Sequence, residues 1–222
     1  MSRPRIAPLR PVAHLARLAP RARVLPLAAA VLALAVGWGT VPGGASAEPL
    51  GSGGPVRVDL YRKGDFTSQT SLVQCVGASM QMMLNMIGPA DDRTAATQAR
   101  LFRLARSLRD PASQWLANRP GASAAGWARG LTAAGAGSYG VRTAATLEDA
   151  ISVASAAIVR TGRPVGLLVW QGAHAWVMSG FEADADPAAD ATATVRMVRV
   201  LDPLYPPRWL PPGVRGQRRT SA

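Results

Sequence analysis

One cysteine, one histidine far downstream and one aspartate before a proline carry the chemistry available to this chain. Cys75 stands in SQTSLVQCVGASMQMMLNM (68–86), where a polar run gives way to a long apolar one. A thiol attacks as its thiolate, and two devices favour that form: the positive end of a helix and a neighbouring imidazole. Val76, Met80, Met83, Leu84 and Ile87 recur at steps of three and four, so a helix is expected to start at or just after Cys75 and to stop at Gly88-Pro89. The imidazole comes from His174, at the start of the strand-like HAWVMSGF (174–181). A general base of this kind is oriented by a third group on its far nitrogen. Asp202, after VRMVRVL (195–201) and before Pro203, reaches that nitrogen if its strand pairs antiparallel with the histidine strand. The developing oxyanion needs a donor beside the nucleophile's own N–H. Gln69, six residues upstream, leaves room for the chain to turn back and present its amide, whereas the adjacent Gln74 points away. Taken singly, Cys75 reads equally as a buried thiol, His174 as a satisfied histidine and Asp202 as a turn former. The set is what points to covalent catalysis.

The elements that must position these groups follow from local pattern. A short strand or extended arm is expected in VRVDLYRKGDF (56–66). DDRTAATQARLFRLARSLRDP (91–111) reads as a solvated helix whose Leu101, Leu104, Ala105 and Leu108 form one buried face. SAAGWARGLTAAG (123–135) and TLEDAISVASAAIVRTG (146–162) read as two further helices, the second capped by Thr146. Between them GAGSYG (135–140) matches a dinucleotide-binding glycine pattern in form only, because no strand leads into it and no helix opens from it; it reads as a turn. PVGLLVW, HAWVMSGF and TVRMVRVL are strand-like, with Trp170 and Trp176 read as core. The acidic connector EADADPAADATA lacks calcium-loop spacing and reads as a solvated hairpin loop. Helices first and strands later imply an α+β domain, the nucleophile helix packed on a C-terminal antiparallel sheet.

Residues 1–47 form a separate piece: six arginines and no acid precede the apolar run Leu25–Trp38, and Ala45-Ser46-Ala47 resembles a small-residue cleavage signature. This pattern describes a secretory signal, with an uncleaved membrane anchor as the alternative, and the absence of an Arg-Arg pair favours the general export route. A linker (48–56), one domain (57–206) and a proline- and arginine-rich tail (207–222) follow. Removing six of the 25 basic residues leaves 19 against 13 acidic ones, a net charge of +6 after residue 47. That charge fits envelope association and offers no basic helix or aromatic-basic array for nucleic acid. A lone cysteine can make neither an internal disulfide nor a cysteine metal cage, so no metal or cofactor is expected.

The order Gln69, Cys75 on a helix, His174 on a strand and Asp202 after the next strand resembles the papain-like cysteine peptidases. Q-x5-C-V-G-A-S, G-R-P-V-G-L-L-V-W, H-A-W-V-M-S-G-F and V-L-D-P together are most similar to the C39-like branch, over about residues 65–204. The resemblance implies a papain-like fold, a peptide or protein substrate, Cys75 as nucleophile, His174 as general base and acid, Asp202 as orienter and Gln69 as oxyanion donor. Gln74-Cys75-Val76 stands where bacteriocin-processing members usually carry Asp-Cys-Gly, which points to the broader C39-like group. NlpC/P60-type peptidases share the arrangement but commonly use a second histidine, which this chain lacks after residue 47. Two other outcomes share these residues: an acyltransferase with the same triad, and an inactive papain-like module that binds peptide or envelope polymer.

Overall fold

The computed structural model describes residues 30–35, 54–109 and 120–206. Among them lie four helices and an antiparallel sheet. In chain order the elements are β1 (Ala30–Ala35), β2 (Val56–Asp59), α1 (Cys75–Ile87), α2 (Ala95–Ser107), α3 (Ala124–Ala133), β3 (Tyr139–Ala144), α4 (Leu147–Thr161), β4 (Val165–Val169), β5 (His174–Ala183) and β6 (Val195–Leu201).

β5 is the hub of the sheet. β4 pairs with its first half and β2 with its second, so these two follow one another along one edge, while β6 runs along the other. Gly180, at an irregularity in the β5–β6 register, sits where a Cβ would lie 2.2 Å from the Val58 carbonyl oxygen, so β2 pairs closely there only because the side chain is absent. Beyond β4 the sheet continues through β1 to β3, both contacts antiparallel.

The core forms two clusters. Cys75, Val76, Met80, Met82 and Met83 of α1 pack with Leu101 and Ala105 of α2, Trp127 and Leu131 of α3, and Ala175 and Val177 of β5. Three methionines with no exposed surface fill the space between three helices and the sheet, each contributing about 1.5–3 kcal/mol by burial. The second cluster joins Ala154, Ala157 and Ile158 of α4 to Val165, Met178 and Phe181. Ala175 and Val177 of β5 thus serve the first cluster and Met178, Phe181 and Ala183 the second, with the register irregularity between Met178 and Gly180 falling within the second group.

Two details depart from the sequence reading. Helices and strands are less segregated than expected, because α4 crosses between β3 and β4. The glycine-rich turn ends at Ser138, and Tyr139, expected in the turn, opens a strand, β3. Of the expected leader, only Ala30–Ala35 is described, as β1. The basic front, the cleavage signature and the tail 207–222 lie outside the described residues.

Candidate active site

Cys75 is the first residue of α1, and the start of that helix is built unlike the others. Thr94, Ser123 and Thr146 cap α2, α3 and α4, each accepting a hydrogen bond from a first-turn N–H. Gln74 caps α1 with no side-chain bond to the helix, and the first turn holds no acid. Its side chain instead accepts from Thr70 Oγ1 at 2.7 Å. The first N–H groups of α1 and the positive end of its dipole therefore meet no competing anion, which leaves them to act on the sulfur beside them.

His174 opens β5, and Asp202 follows β6. The β5–β6 register ends on the pair Val177–Leu201, so the next residue of β6 is carried toward the start of β5. His174 Nε2 and Asp202 Oδ1 meet at 2.7 Å. Asp202 is fixed in turn by the Leu204 N–H, which donates to the same oxygen at 2.9 Å. With Nε2 committed to Asp202, the other ring nitrogen is left for Cys75, whose side chain acts on the imidazole and raises its pKa.

The electrostatics agree with this order. Burial alone would lower the pKa of His174, but hydrogen bonds to Asp202 and Cys75, with the charges of both, raise it from 6.5 to about 9. For Asp202, burial works toward a higher value. It is outweighed by hydrogen bonds from His174 and Leu204 and by the imidazolium charge, so the carboxyl ionises below its usual range. The indole N–H of Trp176, two residues after His174 on β5, adds to this, although it falls outside full hydrogen-bond geometry with any partner. The arrangement at neutral pH is a carboxylate, an imidazolium and a sulfur in one row.

Gln69 is buried, and its backbone N–H donates to the Pro203 carbonyl at 2.8 Å, which ties it to the residue after Asp202. Its side-chain amide donates one N–H to the Ser71 carbonyl at 2.7 Å, and its Oε1 has no partner. One amide N–H remains to serve an oxyanion.

Trp170 corrects the sequence reading. It is not core: 49% of its surface is exposed, and its ring stacks on His174 with centroids 4.6 Å apart and planes 23° from parallel. It belongs to the turn between β4 and β5, where both Trp170 (φ 53°) and Gln171 (φ 57°) are left-handed. That conformation costs non-glycine residues about 1–3 kcal/mol each. The strained turn lays an indole over the imidazole, so one face of His174 is shielded and the residue is only 4% exposed. Two consecutive left-handed residues without glycine or asparagine give no sequence signal, and this is why Trp170 was missed. Trp176, also expected in the core, is half-buried beside Asp202.

Among the described residues no group of histidine, cysteine and carboxylate side chains is arranged to hold a metal ion. Asp184 and Asp190, in the β5–β6 connection, accept hydrogen bonds from Thr194 and Thr192 of the same loop. Comparison of the chain with protein-family models, curated proteins and solved structures finds no match.

Proposed function

We propose that this chain is an exported cysteine peptidase of papain-like fold, similar to the C39-like group, which hydrolyses peptide or isopeptide bonds through a thioester. The observation that carries the reading is the row Cys75–His174–Asp202, with the 2.7 Å His174–Asp202 contact at the uncapped start of α1. In this reaction the Cys75 sulfur attacks the substrate carbonyl carbon, and a C–S bond forms. The carbonyl oxygen takes the electron pair and is met by the Cys75 N–H and the remaining N–H of the Gln69 amide. Collapse expels the amine, which receives its proton from His174. Water, deprotonated by His174, then attacks the thioester and releases the acid and the thiol. Asp202 holds the imidazole ring in place and stabilises its charged form, without taking the proton. The leader pattern of residues 1–47 supports export, with action on envelope or extracellular protein.

The test is turnover of a mixed peptide library by the protein beginning at Glu48, followed by mass spectrometry. New termini are expected with the wild type and none with Cys75→Ala. No cleavage by the wild type, or the same products from Cys75→Ala, contradicts the proposal.

A further inference from the structure

We infer that Gln98 is a positioning residue for the oxyanion donor, acting from α2 without touching the substrate. This rests on the reading of Gln69 given above. Gln98 is 1% exposed, and its side chain leaves the helix face toward the segment 68–70. There its Oε1 accepts from the Thr70 backbone N–H at 2.7 Å and lies 2.9 Å from Thr70 Oγ1, whose single proton it shares with Gln74 Oε1. Its Nε2 donates to the Ser68 carbonyl at 3.0 Å.

Those two backbone groups flank Gln69 on either side. A single planar amide therefore grips the main chain immediately before and after the residue that carries the oxyanion donor, and fixes the direction in which that residue leaves the backbone. The grip is itself braced: Gln98 Nε2 also approaches Gln81 Oε1 of α1 at 3.5 Å, and Gln81 Nε2 donates to the Thr94 carbonyl at 3.1 Å and to Asp92 at 3.3 Å. The Gln69 side chain has one bond of its own, to Ser71, and an unpartnered oxygen, so its placement depends on how its backbone is held. Glutamine suits the place because it offers an acceptor and two donors in one plane.

Two reactions of Cys75 separate positioning from folding. Alkylation by iodoacetamide is a displacement at saturated carbon and forms no oxyanion. Acylation by p-nitrophenyl acetate forms one: the C–S bond is made, the carbonyl oxygen carries the charge, and p-nitrophenolate then leaves with the C–O electron pair. Acylation is to be measured near pH 7, and alkylation across a range of pH, for wild type, His174→Ala, Gln69→Ala, Gln98→Met, Gln98→Glu and the double variant Gln69→Ala/Gln98→Met. Gln98→Met removes the grip, and Gln98→Glu keeps the acceptor but loses the donor to Ser68. The expected result is a wild-type alkylation rate and pH profile in both Gln98 variants. The acylation-to-alkylation ratio is expected to fall roughly 10- to 100-fold in Gln98→Met and by a smaller factor in Gln98→Glu, with the double variant no worse than Gln69→Ala. An unchanged ratio in Gln98→Met, equal losses of both reactions, or additive losses in the double variant would overturn the inference. Failure of the peptidase reading shows differently, as a wild-type protein with no His174-dependent alkylation at acid pH.

Discussion

His174 holds its proton to about pH 9 in the folded chain, against 6.5 as its ordinary value. A group that binds its proton more tightly when folded stabilises the fold in full below the unfolded pKa, and that contribution is lost as pH rises through the folded one. Here the loss runs from pH 6.5 to about 9 and amounts to about 3 kcal/mol. Asp202, whose pKa is lowered, has the opposite sign and loses its contribution only in acid, below the usual carboxylate range. Denaturant unfolding near pH 6 and near pH 9 is therefore expected to show a larger drop for the wild type than for His174→Ala. Equal drops would contradict the assignment. At this scale the sequence was informative because scarcity did the work: with one cysteine and one histidine after residue 47, few pairings could be drawn. Gln98 and Trp170 could not be found that way. A glutamine on a helix that reads as solvated, and a tryptophan in a turn without glycine at its strained positions, acquire their roles only from what folding places beside them.

The helices hold the site through close backbone approach as much as through apolar burial. Gly77, in the first turn of α1, faces α2 where a Cβ would lie 2.8 Å from the Gln98 carbonyl oxygen and 2.9 Å from Phe102 Cβ. Neither neighbour is the free end of a flexible chain. Gly77→Ala gains about 1 kcal/mol of helix propensity but forces α1 and α2 apart at a cost of about 1–3 kcal/mol. A net loss of about 1 kcal/mol in unfolding free energy is expected, and a more stable variant would contradict this packing. α1, α2 and α4 were legible as elements because apolar periodicity marks them and the Thr146 cap marks the start of α4. β3 was not: YGVRTA is short, carries an arginine and has one buried residue, so its pairing with β1, not its own pattern, makes it a strand. Helices and strands are less segregated than expected for the same reason, since α4 becomes a crossover once β3 is a strand.

Across the whole molecule, the two hydrophobic clusters and all four candidate site residues lie at Val56 and beyond among the described side chains. β3 and β4 run parallel to one another, one strand apart, and are joined through α4, an arrangement that helical crossovers close by direct pairing. A chain beginning at Glu48 is accordingly expected to fold with a cooperative transition, as export with removal of the leader requires. Failure of that shorter chain to fold would make β1 an integral strand and exclude removal of residues 1–47. The central claim is that α1, β5 and β6 bring a sulfur, an imidazole and a carboxylate into one hydrogen-bonded row. Its most direct measurement is the rate of Cys75 alkylation by iodoacetamide against pH, in wild type and His174→Ala. The account predicts rapid alkylation well below pH 7 that disappears in His174→Ala. Labelling confined to pH above about 8.5, where an ordinary thiol ionises, or a profile indifferent to His174, would contradict it.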